Sequence, residues 1–250
     1  MVMRIRSKMP RLGTRKLYYL LKEELIARNI KIGRDVLFNF LRAEQLLIKP
    51  KRSYTKTTNS KHWMKKYPNL ILDMEISRPE QVWVSDITYI KTISGNAYLS
   101  LVTDAYSKKI MGYELLDNLS AAGPLAALNM ALKNRKYNDE LIHHSDRGLQ
   151  YCSSEYVRQL KDNRIHISMT QNGDPYENAI AERINGILKY EFLWIDGFKD
   201  HLQAMEVIKQ SIGIYNQHRP HLSCQMMTPE TTHNQRKIKR KLWNKKVLKE

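Results

Sequence analysis

Three carboxylates are placed where they could do chemistry together: Asp86, Asp146 and Glu182. Asp86 lies inside Gln81-Val-Trp-Val-Ser-Asp-Ile-Thr-Tyr-Ile90, a run of β-branched and aromatic residues that reads as a strand. Aspartate is disfavoured in a strand interior and costly to bury, so it calls for a compensating partner, most simply a cation. Asp146 ends the apolar stretch Leu141-Ile-His-His144 and precedes Arg147-Gly148, at the carboxyl end of a predicted strand where ligands of such sheets tend to lie. Glu182 belongs to a helix predicted over residues 175–192, opened by Asp174-Pro-Tyr-Glu177, a capping box with proline at the first helical position. On that helix Asn178, Glu182, Asn185 and Lys189 share one face, and Ile180, Ile184, Ile187 and Glu191 another. Hard oxygen donors without a thiolate select Mg2+, with Mn2+ as a substitute, over zinc. Two such ions about 4 Å apart would activate a water or a DNA 3′-hydroxyl for in-line attack on a phosphodiester.

The elements that must position these groups follow from periodicity. Strands are predicted over 81–90, 97–102 and 110–115, with Ser94-Gly95-Asn96 as the first turn. A helix over 121–132, a strand over 141–144, a helix over 153–163 and a strand over 165–169 follow, and then the capped helix. The order βββαβαβα gives an α/β domain with a mixed five-stranded sheet and helices on its faces. If the first and fourth strands are neighbours, the three carboxylates converge at one edge. Ahead of this core, Leu17, Leu20, Leu21 and Leu25, then Val36, Leu37, Phe40 and Leu41, mark two helices around the turn Asn29-Ile-Lys-Ile-Gly33. With Arg15, Lys16, Arg34 and Arg42 they could form a helix-turn-helix reader or a plain helical subdomain. The expected organisation is helices over 1–48, a basic linker over 49–78, the core over 79–232 and a basic tail over 233–250, where Lys237-Ile-Lys-Arg-Lys241 would bind DNA loosely or stay disordered.

Charge separates along the same boundaries. The chain of 250 residues carries a formal +17; residues 1–70 hold 18 Lys/Arg against 4 Asp/Glu, 71–232 hold 16 against 20, and 233–250 hold 8 against 1. Basic flanks around a mildly acidic centre suit a nucleic-acid enzyme, although a solubilising surface is the bland alternative. No run of eighteen apolar residues and no apolar signal core are present, which points to no membrane and a cytoplasmic protein. Cys152 and Cys224 have no CxxC partner, which argues against a structural zinc and a disulfide framework. His143 and His144 could serve proton transfer, contact DNA or simply be hydrogen-bonded, and the run Tyr215-Asn-Gln-His-Arg-Pro-His221 suits either phosphate contact or a packing turn.

Four ordered motifs carry a resemblance: Trp83-x-x-Asp86-Ile-Thr-Tyr-Ile90; His144-Ser-Asp146-Arg-Gly-x-Gln-Tyr151; Asn178-Ala-x-Ala-Glu182 with Gly186-x-Leu-Lys189-x-Glu191; and Tyr215-Asn-x-x-Arg-Pro-His221. With 35 residues between Asp146 and Glu182, the chain closely resembles the insertion-sequence-three family of bacterial transposases over about residues 10–230. The resemblance implies a ribonuclease-H-like integrase core in which Asp86, Asp146 and Glu182 bind the metals and Lys189 contacts the transposon end. It makes residues 11–47 look like a helix-turn-helix region, and implies DNA strand cleavage and transfer in a bacterial, nucleoid-associated enzyme without a nucleotide cofactor. Asn178, Arg183, Arg147, Arg219, Arg15, Lys16, Arg34 and Arg42 are the expected DNA contacts besides Lys189. The implied partners are transposon ends and target DNA, further copies of the chain, and an upstream-frame helix-turn-helix and coiled coil, present as a partner or as a fusion. No a/d heptads precede residue 10, so the chain looks like the downstream-frame product; His62 is the first histidine and the next is His143, so no HHCC zinc set of the retroviral kind opens it. Two rivals remain at this level: a ribonuclease-H-like nuclease that cuts without joining, and a DNA-binding regulator with an inactive catalytic domain.

Overall fold

The computed structural model describes residues 1–48, 63–171, 175–192 and 194–236. Residues 49–62 of the expected linker, the basic tail after residue 236, and Asp174 of the expected capping box lie outside the described residues. Strands β1 (Val82–Thr92), β2 (Gly95–Asp104) and β3 (Ile110–Leu116) form an antiparallel meander. Strands β4 (Ile142–Ser145) and β5 (His166–Met169) join in parallel, giving the order β3-β2-β1-β4-β5. The mixed five-stranded sheet read from the sequence is therefore present, and β1 and β4 are neighbours.

Strand β1 is central. Its first residues, Val82 to Ser85, are buried on both faces because β2 and β4 flank them and helices cover both sides, which is why the sequence there shows no polar alternation. Strand β4 pairs with β1 only as far as Val84↔His144, so the second half of β1 runs on past the end of its neighbour. The β1–β2 connection is tighter than Ser94-Gly95-Asn96 suggested: Thr92 pairs with Gly95, leaving Ile93 and Ser94 as the turn. Gly95 takes φ 137°, a conformation open to glycine and strained for a residue with a β-carbon.

One face of the sheet is covered by α4 (Ala122–Lys133), α5 (Leu149–Cys152) and α6 (Ser154–Asp162), with Trp83, Val102 and Met111 packed against Ala127, Leu128, Tyr156 and Leu160. The other face, through Ile90, Leu99 and Leu101, carries α7 (Ala179–Glu191) and α8 (His201–His218). The same apolar cluster continues into α1 (Val2–Arg6), α2 (Thr14–Ala27) and α3 (Arg34–Ala43) through Leu17, Leu21, Leu37 and Leu41. The N-terminal helices thus share a core with α7, and the Arg11 N–H donates to the carbonyl of Glu191, the last residue of α7, at 3.1 Å.

Elsewhere the structure departs from the sequence expectations. The helix carrying Glu182 does not begin at Pro175: a 3-10 turn over Pro175–Asn178 comes first, and the Glu177 carboxylate accepts from the Gln171 N–H. On α3 only Leu37 and Leu41 are buried, while Val36 and Phe40, expected in the same stripe, are 55% and 53% exposed. Helix α8 went unread, although Asp200 caps it by accepting from the Gln203 N–H at 2.8 Å and Ala204, Ile208, Ile212 and Tyr215 follow at helical spacing. Residues 68–70, expected as linker, follow the sheet edge: the Leu70 N–H donates to Ser168 Oγ at 2.9 Å and the Met169 N–H to the Pro68 carbonyl at 3.2 Å. Helix α9 (Pro229–His233) closes the described part, with His233 buried beside Glu80 at 3.1 Å. Among the described residues no helix is long and apolar enough to cross a membrane.

Candidate active site

Parallel register brings the two aspartates together. Val84 pairs with His144, and Asp86 and Asp146 each lie two residues further along, so they stand side by side on the same face where β4 ends. Helix α7 crosses this point with its polar face inward. Asn185, 6% exposed, donates through Nδ2 to Asp86 Oδ2 at 2.7 Å, and Asp86 Oδ1 accepts the Ile87 N–H at 2.9 Å. Asp146 Oδ1 accepts the Gly148 N–H at 2.9 Å, and a β-carbon at Gly148 would stand 3.1 Å from that same oxygen, so glycine lets the loop close this tightly.

Electrostatics mark the cluster as charged beyond what its surroundings favour. Burial pushes the Asp86 carboxyl up to about 7 and neighbouring Asp146 adds to the rise, while the bonds from Asn185 and Ile87 oppose it and Glu182 adds a smaller push. Glu182 is exposed at the first turn of α7, and partial desolvation raises its pKa. Lys189 is half-buried two turns along; burial lowers its pKa and Asp86 pulls it back up, which puts the ammonium within electrostatic reach of that carboxylate.

The two histidines below the site are occupied. His144 Nε2 lies 3.1 Å from the Glu177 carbonyl, which can only accept, so Nε2 carries the proton and Nδ1 takes the hydroxyl of Ser168 at 2.8 Å. His143 Nε2 faces the hydroxyls of Ser85 at 2.7 Å and Tyr156 at 2.8 Å. Burial lowers the pKa of His143 to about 3 and that of His144 to about 4, so both are neutral and hold the sheet to its neighbours.

A second ionic group gathers at the far end of α7. Arg219, 1% exposed, grips both oxygens of Glu191 at 2.7 Å, and Lys16 of α2 approaches the same carboxylate at 3.4 Å. Burial would raise the Glu191 pKa, but Arg219 and then Lys16 outweigh it and the result is a lowered value. Arg219 also donates to His221 Nε2 at 2.7 Å; burial first, then Arg219, Lys16, Lys108 and Arg183, press His221 down to about 2.

The Integrase core domain family is matched over residues 76–175 and again over 163–229. The protein named "Insertion element IS600 uncharacterized 31 kDa protein" of Shigella sonnei is 37% identical over 211 residues, covering 84% of this chain and 76% of its own length. Transposase InsF for insertion sequence IS3fB of Escherichia coli strain K12 is 32% identical over 221 residues, covering 86% and 75%. The chain belongs to the insertion-sequence-three family of transposases. Two solved structures share the fold of this transposase. The catalytic core domain of HTLV-2 integrase, in complex with magnesium, aligns with TM-score 0.51 at 19% identity over 62% of this chain and 97% of that one. The simian T-cell lymphotropic virus intasome aligns with TM-score 0.56 at 17% identity over 94% and 75%.

Against the sequence expectations, the transposase brings Asp86 and Asp146 together with Glu182, Asn185 and Lys189 around them. Among the described residues, however, no three acidic, imidazole or thiol side chains stand close enough to enclose one ion as placed. Arg15, Lys16, Arg183 and Arg219 collect instead on a groove against the other face of α7. Arg34, paired with Asp35 at 2.9 Å, and Arg42, 4.9 Å over the Phe38 ring, lie on α3 and belong to neither group. Arg147 is half-buried beside Asp146. Two of the expected DNA contacts are engaged within the chain. Asn178, 6% exposed, donates to the Ser85 carbonyl at 3.0 Å and pins α7 to β1, while Arg219 is committed to Glu191. The orienting role of Asn185 was missed; its signal was the ordered amide stripe on the Glu182 face, which showed a function without showing its partner.

Proposed function

We propose that this transposase cuts and joins DNA at the ends of its element, with Asp86, Asp146 and Glu182 as the metal-holding carboxylates. The observation that carries the reading is the pair of aspartates set side by side where β4 ends, beneath the helix that bears Glu182. The residues fit a hard divalent cation such as Mg2+ or Mn2+: the donors are oxygens, the hydrogen-bond partners of Asp86 are neutral, and Asn185 Oδ1 is buried without a partner among the described residues. Bound there, two such ions would supply Lewis-acid chemistry, acidifying an attacking hydroxyl and offsetting charge on the leaving oxygen.

The chain's own residues do the positioning. Asn185 fixes the rotamer of Asp86, Asn178 anchors the start of α7 to β1, and Gly148 lets the Asp146 loop close on its carboxylate. Lys189, beside Asp86 but unable to ligate a metal, holds DNA backbone next to the carboxylates. Arg147 and the exposed cations of the N-terminal helices, Arg15, Arg34 and Arg42, add phosphate contacts along double-stranded DNA. Two element ends must be processed together while one chain carries one triad, so the transposase works as a multimer, alone or with an upstream-frame helix-turn-helix segment.

The deciding experiment incubates the full chain with Mg2+, a labelled duplex carrying the element end and a circular target. A covalent product linking the end's 3′-hydroxyl to target DNA is expected. Cutting without such a product would replace this reading with a nuclease, and neither product would leave a DNA-binding regulator.

A further inference from the structure

The face of α7 turned away from Asp86 borders a groove of about 650 Å³, separate from the catalytic carboxylates. Its floor includes Ile180, Ile184 and Ile187 of α7; one wall is the start of α2 at Gly13 to Lys16, and the other is the turn from His221 to Met226. Five cations line it, namely Arg15, Lys16, Lys108, Arg183 and Arg219, and no acidic residue does among the described ones. Glu191 draws on Arg219 and Lys16. Arg15 and Arg183 are exposed and make no ion pair among the described residues, so they are available to a ligand. The first turn of α2, which forms part of the wall, holds no acidic residue.

We propose that this groove is a second DNA-backbone site, which carries the duplex flanking the scissile position from the catalytic carboxylates across α7 to the N-terminal helices. Three observations select DNA over an acidic polypeptide. Arg183 directly follows Glu182 on α7, so the groove begins one residue around the helix from a proposed metal ligand. The floor is largely apolar and the cations come from α2, from α7 and from the segment before His221, as suits a sugar-phosphate strand lying along it rather than a single anion held at a point. The concentration of positive charge matches the state of His221, which the surrounding cations help to keep unprotonated. The site is composite: Arg15 and Lys16 come from the N-terminal helices and Arg183 from the catalytic helix, with the Lys16–Glu191–Arg219 contacts holding the two walls in register. DNA binding in the flank and the setting of α7 are thereby linked.

This proposal rests on DNA being the substrate of the triad, and the test separates the two. Binding of the full chain to an end-carrying duplex is measured without divalent metal across a salt series, for wild type, Arg15→Ala, Arg183→Ala and the double substitution. Both side chains are exposed, so melting temperatures should match wild type. Each substitution should make the plot of log affinity against log salt shallower by about 0.9, and the double by roughly twice that. Phosphate-ethylation interference should lose, in the double variant, a set of flank phosphates while keeping those at the scissile position. Unchanged slopes would overturn the groove, as would an interference pattern that loses only scissile-position phosphates, or competition by polyglutamate that spares DNA binding. The triad reading is judged separately by joined product, so shallower slopes with no joining by wild type would support the groove and sink the triad.

Discussion

Helix α7 meets carboxylates near both ends, and the protein treats them in opposite ways. At its last residue, Glu191 is wrapped by the fork of Arg219 and approached by Lys16, and its pKa is lowered. Toward its start, Asp86 is crowded by Asp146, receives neutral donors from Asn185 and Ile87, and is raised to about 7. A carboxylate satisfied by a protein cation is a structural joint. One held in like-charged company by neutral donors is kept for something that arrives from outside.

The comparison can be broken most decisively at the Asp86 end. Asp86→Asn, Asp146→Asn and Glu182→Gln should each reduce Mg2+-dependent cleavage to the level seen without metal, and Asp86→Asn should keep or raise the melting temperature because it relieves like-charge crowding. Strong activity in any of the three variants removes that residue from the site. Acid attacks both ends at once. His143, His144 and His221 titrate at about 3, 4 and 2 in the folded chain against 6.5 when exposed, so below 6.5 the unfolded chain binds more protons and stability falls as pH drops. Each contributes up to about 1.4 kcal/mol per pH unit, the raised Asp86 carboxyl offsets part of this because the folded chain takes up its proton first, and urea unfolding should still show the fold less stable at about pH 5 than at about pH 7.5, by a few kcal/mol. A flat pH profile would mean that these imidazoles are not held neutral.

At the Glu191 end the expected loss is in stability. Arg219→Ala strands a largely buried carboxylate and should cost about 3 kcal/mol, read by chemical denaturation. A cost well below 1 kcal/mol would make the joint dispensable and dissolve the contrast. The smallest effect is predicted for Lys189→Ala, which should lower joining of element ends several-fold more than nonspecific Mn2+-dependent nicking, compared on matched end and random duplexes. Equal loss on both substrates would make Lys189 a general support of the site, and no loss on the end substrate would make it a solvated lysine.

Periodicity and local chemistry were legible in the sequence: five strands in order, the helices between them, and Asp86, Asp146 and Glu182 as acids in contexts that local structure alone does not require. Such signals travel because alternation and helical spacing are imposed residue by residue by the surface each element buries. Tertiary structure decided everything that depends on which element lies beside which. The placing of β4 beside β1 brought Asp146, just past the end of β4, within electrostatic reach of Asp86. The burial of Arg219 against Glu191 made a joint at the end of α7, and docking of the N-terminal helices on that helix joined their apolar residues to its cluster. The sequence showed Val36 and Phe40 as apolar at helical spacing, yet only the packing left them exposed on α3. The physical reason is the same in each case: a charge or an apolar stripe states what it needs locally, while its partner is chosen by contacts between residues as far apart as Lys16 and Glu191, whose pairing no local pattern records.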